Sequence, residues 1–314
     1  MKLVVIEPLG VQKNTLNKII KNTFNDELEI ILYDKTATSN KELIERGKDA
    51  AIIVVANQPL NTEVINGFEK LKMLSVAFTG VDHVDLKTCK NKNITVCNSA
   101  GYSTASVADL VFGLLICFYR NIISCNQFVR AGKTKDGLIG FELEGKKFGI
   151  IGTGAIGLKV AEIAKVFGCD VYAYSRTKKD IPNITYTDLD TLLSTCDIIS
   201  LHTPLTDETN NLINKDKLAL MKKNAVLINT ARGPILNSND LAEALKNKII
   251  KAALIDVFDQ EPPLKVDNVL LTSPNIIATP HIGFASKESL EKRAVIVFNN
   301  VQKWLDGKPQ NLIN

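Results

Sequence analysis

Apolar runs of strand length recur along this chain with helical patterns between them, and that rhythm restricts the fold more than any other feature. The first series is L-V-V-I at 3–6, E-I-I-L-Y at 29–33, A-I-I-V-V at 51–55, L-S-V-A-F at 74–78 and I-T-V-C at 94–97. Strands buried on both faces read as continuous apolar runs, which is the mark of parallel sheets covered by helices. After residue 97 the rhythm breaks. A helix capped by Ser103 or Thr104 is predicted, and its apolar positions continue to about Val129, nearly twice the usual helix length and enough to join two domains. A second series follows: F-G-I-I-G at 148–152, V-Y-A-Y at 171–174, I-I-S-L at 198–201, V-L-I-N at 226–229 and A-A-L-I-D at 252–256. The helical stretch from about Ser286 to Leu305 comes after the second series ends, so it is expected to pack back on the first. The chain has 314 residues, more than one hydrophobic core usually serves. The expectation is therefore an α/β protein of two doubly wound parallel sheets, with one domain at 1–98 plus 285–314 and another inserted at 99–284.

Composition narrows the function classes. With 45% apolar and 23% charged residues the chain is globular in type, and its net charge of +4 is spread out. Its densest cationic pair, Lys146 and Lys147, is flanked by Glu142 and Glu144, so neither nucleic acid nor an anionic membrane is an expected partner. The apolar stretch from Ala105 to Phe118 is interrupted by Asp109 and falls short of the roughly 20 residues that cross a bilayer. Glu7 and Pro8 interrupt the first apolar run before it reaches the length of a secretion signal. The 6 cysteines show no C-x-x-C pair and no metal-ligand spacing, so no metal is expected and a reducing cytoplasm is the simplest setting.

The segment F-G-I-I-G-T-G-A-I-G-L-K-V-A runs from an apolar strand through Gly152, Gly154 and Gly157 into an amphipathic helix. Gly152 permits the tight turn, Gly154 lets backbone approach a pyrophosphate, and Gly157 allows the helix to touch the strand, while the helix N-terminus faces the anion. The domain at 99–284 thus reads as a Rossmann-type nucleotide domain set into a flavodoxin-like substrate domain. About 20 residues past the glycines, NAD enzymes place a carboxylate for the adenosine ribose. Here that position holds Ser175, followed by Arg176, Thr177, Lys178 and Lys179, a set that favours NADP. A solvated cationic loop that accepts either cofactor is the alternative, since Asp180 is close enough in sequence to serve a ribose hydroxyl.

Arg232 follows V-L-I-N-T-A, Glu261 stands in D-V-F-D-Q-E-P-P, and His281 stands in A-T-P-H-I-G, all at the ends of apolar strands or in the turns after them. A cation for a carboxylate, a titratable imidazole and a carboxylate to hold it are what reduction of a 2-oxo acid requires. Taken singly, each has a plainer reading as a turn cap, a solvated acid and a satisfied loop histidine. In order, G-T-G-A-I-G, N-T-A-R-G-P, D-V-F-D-Q-E-P and T-P-H-I-G resemble the D-isomer-specific 2-hydroxyacid dehydrogenase family. V-A-F-T-G-V-D-H-V-D at 76–85 and N-S-A-G-Y-S-T-A-S-V-A-D at 98–109 extend the resemblance over essentially the whole chain.

The resemblance implies an NAD(P)-dependent oxidoreductase yielding a D-2-hydroxy acid. His281 would be the general acid, Glu261 the group that stabilises its imidazolium, and Arg232 the partner of the substrate carboxylate. Asn57, Thr79, Gly80 and Val81 would complete the substrate contacts. The cofactor would touch Thr104, Ala155, Ile156, Ser175, Arg176, Thr203, Pro204, Thr230, Ala231 and Asp256 besides the glycines, with Asp256 orienting the nicotinamide carboxamide. A homodimer formed through the long helix from Ser103 and the segment after it is also implied. His83 and His202 are read as structural. Two departures stand out: R-A-G-K-T-K-D-G-L-I-G lacks the tryptophan often found there in relatives acting on glyoxylate or hydroxypyruvate, and Ser175 replaces the usual aspartate. A nucleotide-sensing, corepressor-like binding protein of the same fold is the rival reading, and a relative acting on formate or phosphite is a third.

Overall fold

The computed structural model describes residues 1–24, 28–260 and 263–313. They divide into two compact units, Met1–Ser103 with Ala285–Asn314, and Thr104–Phe284.

In the first unit β1 (Lys2–Val5), β2 (Glu29–Leu32), β3 (Ile52–Val55), β4 (Met73–Val76) and β5 (Thr95–Cys97) form a parallel sheet in the order β2-β1-β3-β4-β5. This is the flavodoxin-like order. Side chains alternate across a strand, so Leu3, Val5, Ile52, Val54 and Met73 meet α1 (Lys13–Thr23) and α11 (Lys287–Leu305) on one face. Val4, Ile53, Val55, Leu74 and Val76 meet the other three helices, α2 (Asn40–Gly47), α3 (Thr62–Gly67) and α4 (Leu86–Asn91). Both faces being covered is why these strands read as unbroken apolar runs. Ser39, Asn61, Asp85 and Ser286 cap helices by accepting backbone N–H bonds, each worth about 1 kcal/mol. The helix expected to return to this sheet does so: the buried Ser75 hydroxyl donates to the Val297 carbonyl at 3.1 Å, and Phe298 stands edge-on to Phe24.

The second unit opens with α5 (Thr104–Tyr119) and α6 (Ile122–Arg130) and continues with β6 (Lys147–Ile151), α7 (Ala155–Val166), β7 (Asp170–Tyr174) and β8 (Thr185–Tyr186). It is completed by α8 (Leu189–Thr195), β9 (Ile198–Leu201), α9 (Lys215–Leu220), β10 (Val226–Asn229), α10 (Ser238–Lys246), β11 (Ala252–Ile255) and β12 (Ile276–Ala278). The parallel sheet runs β8-β7-β6-β9-β10-β11-β12, the Rossmann order with one further strand. Phe148, Ile150, Ile198, Val226 and Leu254 pack under α5 and α7, while Ile151, Ile199, Leu227 and Ala253 pack under α8, α9 and α10.

The single long helix predicted from Ser103 to Val129 is two helices, turned 54° against each other. The break falls at Arg120–Asn121, where Asn121 takes φ +52° and its side-chain amide donates to the Leu138 carbonyl at 3.2 Å. Phe141 N–H takes the Tyr119 carbonyl at 2.8 Å, and a Cβ on Gly140 would lie 2.3 Å from that same oxygen. The returning segment thus claims a carbonyl that a continuous helix would have used. Among the described residues no single helix is long and apolar enough to cross a membrane, though the bent pair α5 and α6 passes that test jointly.

Candidate active site

The order of the second sheet places β6 beside both β7 and β9, so the chain leaves the carboxyl ends of β6 and β9 in opposite directions and opens a crevice there. Gly152 ends β6 at φ +100°, and a Cβ on it would come 2.6 Å from the His202 carbonyl oxygen. A Cβ on Gly157 would come 2.0 Å from the Gly152 carbonyl oxygen, so only glycine lets α7 start this close to the strand. Gly154, the N-cap of α7, has no side-chain cap, and nothing lies within 4 Å of where its Cβ would be. The open side therefore faces the amide end of a twelve-residue helix, which attracts anions. Ala155 and Ile156 form the first turn behind it.

A cavity of about 230 Å³ extends from this turn. Of the residues expected to meet a cofactor, Gly152, Gly154, Ser175, Arg176, Thr203 and Pro204 line it. Thr230 and Ala231 lie past the end of β10, Asp256 follows β11, and Thr104 is the first residue of α5, all outside that lining. The cationic loop is divided. Arg176 reaches Glu208 at 2.9 Å, while Lys179 Nζ donates to the Thr153 carbonyl of the glycine turn at 3.0 Å. Lys178 and Asp180 are exposed and do not line the cavity. Thr153 Oγ1, Thr203 Oγ1 and Thr230 Oγ1 are buried without a hydrogen-bond partner among the described residues. Three such hydroxyls at the carboxyl ends of β6, β9 and β10 suit a polar ligand laid along that edge. His202 pairs its Nε2 with the Ser200 hydroxyl at 2.8 Å, and burial holds its pKa down at about 3, so the ring stays neutral.

Strands β10, β11 and β12 are neighbours, and the loops leaving their carboxyl ends carry Arg232, Asp256 and His281. Arg232 precedes a 3-10 turn at Gly233–Ile235, donates from Nη1 to the Ala231 carbonyl at 2.8 Å, and its own carbonyl accepts from Asn229 Nδ2. A Cβ on Gly233 would lie 1.9 Å from the Phe258 carbonyl oxygen, so the glycine lets this turn press against the segment after β11. Glu261, expected on that segment, lies outside the described residues.

His281 is half-buried at φ +54°, a conformation that costs a non-glycine residue on the order of 1 kcal/mol. Its N–H donates to the Asp256 carbonyl at 2.8 Å, and its ring stands edge-on to Phe284. The Asp256 side chain is fully buried and accepts from Thr279 Oγ1 at 2.6 Å and from the N–H groups of Ile282 and Gly283, both at 2.8 Å. Burial outweighs these three bonds and pushes the carboxyl above the usual range. Asp256 therefore fastens the loop on both sides of His281, a task the sequence did not reveal.

In the first unit, Asn57 is exposed in the turn after β3, and Thr79, Gly80 and Val81 form the turn after the adjacent β4. Glu7, buried at the end of β1, accepts the N–H groups of Ala56 and Gln58 at 2.8 Å each and so fixes the turn bearing Asn57. Asn98 Nδ2 donates to the Thr79 carbonyl at 2.7 Å. His83 packs edge-on against Phe78 and its carbonyl accepts Leu60 N–H. Glu7 lies outside the motifs, and Asn98 opens one of them, but nothing in the sequence says that either side chain holds a turn from another strand. Thr153 and Glu208 were missed for another reason, one being a free position inside the glycine motif and the other lying on a loop from a different strand.

Residues 112–283 match the sequence profile of the D-isomer specific 2-hydroxyacid dehydrogenase NAD binding domain. Hydroxypyruvate reductase of Blautia hydrogenotrophica is 38% identical over 299 residues, covering 91% of this chain and 92% of that protein. Glyoxylate reductase of Thermococcus litoralis is 36% identical over 301 residues, covering 91% and 90%. Among solved structures, an acyclic imino acid reductase in complex with NADPH and D-Arg superposes with a TM-score of 0.91 at 30% identity, covering 100% of both chains.

Proposed function

The chain belongs to the D-isomer specific 2-hydroxyacid dehydrogenase family, and on that premise we propose that it reduces a small 2-oxo acid to the D-2-hydroxy acid with hydride from NAD(P)H. The observation that carries this reading is the placement of Arg232, Asp256 and His281 on the carboxyl ends of three neighbouring strands, along the same sheet edge as the glycine crevice. A nicotinamide cofactor bound there would supply the hydride to the carbonyl carbon. Arg232 would hold the substrate carboxylate in a two-pronged pair and draw charge from the carbonyl. His281 would give its proton to the carbonyl oxygen as the hydroxyl forms, and Glu261 would stabilise the imidazolium before that transfer. In the first unit, the turn at Thr79, Gly80 and Val81, with Asn57, offers backbone N–H groups of the kind that bind a carboxylate. In the reverse direction His281 would take the hydroxyl proton, and an oxidised nicotinamide would accept the hydride.

The residues fit a dinucleotide on physical grounds: the cap of α7 is open, and unpartnered hydroxyls lie along the same edge. Ser175 in place of a carboxylate and Arg176 in the cavity wall support a preference for NADPH, with NADH as the weaker cofactor. A homodimer is supported by the apolar face of α6, where Ile122, Ile123 and Val129 are exposed near the end of a segment carrying exposed Ile139 and Phe141. Light scattering at the mass of one chain would refute it. Six unbridged thiols fit a reducing cytoplasm.

The assay follows oxidation of NADPH and NADH by the pure protein with glyoxylate, hydroxypyruvate, pyruvate, phenylpyruvate and branched 2-oxo acids. Turnover with at least one is expected. A protein that binds the cofactor yet turns over none of them would overturn the reading in favour of a nucleotide sensor.

A further inference from the structure

The cavity beyond the glycine turn carries opposite charges on facing loops. Arg176 comes from the turn after β7 and Glu208 from the loop after β9, and their Nη1 and Oε2 atoms meet at 2.9 Å with both residues lining the cavity. Among the described lining residues, Glu208 holds the one carboxylate. A guanidinium carries five N–H donors, and the carboxylate on Nη1 takes one prong of the Nη1/Nη2 edge, so a phosphate cannot grip that edge with two bonds while the pair stands.

We propose that Glu208 sets the balance between the two nicotinamide cofactors by occupying Arg176, so that a 2′-phosphate must displace it before it can bind. This rests on the reading that the cavity receives the adenosine ribose of NADPH. The exposure of the pair fits such a role. The two side chains are 74% and 69% exposed, so the pair is weak enough to open. A buried pair would be a permanent strut. A ligand without the phosphate makes no demand on Arg176 and leaves the pair closed, so Glu208 costs NADPH affinity and leaves NADH affinity alone. Lys179 is not among the residues that line the cavity, and its Nζ donates to the Thr153 carbonyl. Because exposed pairs are weak, removing the competitor should tighten phosphate binding by about two- to fivefold.

Calorimetric titration of the full-length protein with 2′,5′-ADP and with 5′-AMP tests this without turnover. Wild type should prefer 2′,5′-ADP, and Arg176→Ala should erase the preference. Glu208→Gln should tighten 2′,5′-ADP by about two- to fivefold with 5′-AMP unchanged. Added to Arg176→Ala, it should do nothing. No tightening in Glu208→Gln overturns the proposal, and so does equal tightening in the Arg176→Ala background, which would mean direct repulsion of the phosphate. If wild type and Arg176→Ala bind both fragments alike, the cofactor reading itself fails and this inference falls with it. If Arg176→Ala loses 2′,5′-ADP while Glu208→Gln changes nothing, the cofactor reading stands and this inference alone is wrong.

Discussion

Replacing Asp256 with Ala should unfasten the loop that carries His281. The side chain is 0% exposed, and its loss leaves the buried N–H of Gly283, the part-buried N–H of Ile282 and the Thr279 hydroxyl without their acceptor. The hydroxyl can rotate towards another acceptor; the two amides cannot. At about 1–3 kcal/mol for the buried donor and less for the one that water can reach, the cost is about 1–4 kcal/mol. Relief of the buried charge offsets part of it, because burial already pushes this carboxyl above its unfolded value. A raised carboxyl pKa means that the folded state holds the proton more tightly, so this group's contribution to stability falls as pH rises from the unfolded value through the folded one. A net loss of about 1–3 kcal/mol at neutral pH remains, a sizeable share of the 5–15 kcal/mol of an ordinary domain. A shift of His281 by about 1 Å would cost roughly a hundredfold in turnover. Asp256→Asn should be milder, since its oxygen still accepts while its amide meets one N–H donor to donor. Urea unfolding gives the first quantity, and turnover beside calorimetric cofactor binding gives the second. Wild-type stability in Asp256→Ala with loss of cofactor affinity alone would refute the reasoning and assign the carboxylate to the nicotinamide.

Four further outcomes follow from the geometry. His281→Asn keeps a residue that tolerates φ +54°, so the fold and the cofactor affinity should survive while turnover falls by about 10²–10⁴; retained turnover would remove His281 from proton transfer. Arg232→Lys keeps the charge and loses the fork, which should lower kcat/KM by about 10- to 150-fold without altering cofactor affinity. Ser175→Asp should weaken NADPH binding by about tenfold or more through like-charge repulsion and spare NADH; an unchanged ratio of the two affinities would end the case for NADPH. His202 has a folded pKa of about 3, below its unfolded value, so its contribution is complete above about pH 6.5 and is lost as pH falls towards 3. Allowing for a ring partly open to solvent, wild type should lose about 1–2 kcal/mol more than His202→Asn between pH 7 and pH 5; parallel stability curves would count against it.

Much of the fold was legible because parallel strands covered on both faces must read as apolar runs, and because two positions of the glycine turn have no room for a side chain. Gly152 and Gly157 meet backbone oxygens where a Cβ would be, a constraint that leaves its mark on the sequence itself. Arg232 and His281 were found through one topological rule, that ligands gather at the carboxyl ends of strands. What escaped depended on distant partners. Nothing near Asn121 announces that Phe141 will take the Tyr119 carbonyl and end α5. Asp256 was marked for its place in a motif, but its three bonds run to residues more than twenty positions away. Glu208 reads as an ordinary loop acid until β9 is laid beside β6.

The return of α11 to the first sheet also bears on how the molecule is made. Leu3, Val5, Ile52, Val54 and Met73 await Val297, Phe298 and Val301, and Asn300 Nδ2 reaches back to the Asn98 carbonyl at 2.8 Å. Ribosomes add about 5–20 residues each second, so the 200 or so positions between β5 and α11 take roughly 10–40 s to appear. Throughout that interval the nascent chain carries a greasy sheet face that α1 alone covers in part, while Thr104–Phe284 is still being made. The helper proteins that shield emerging chains should therefore engage the segment made first, and release it only when the last helix arrives.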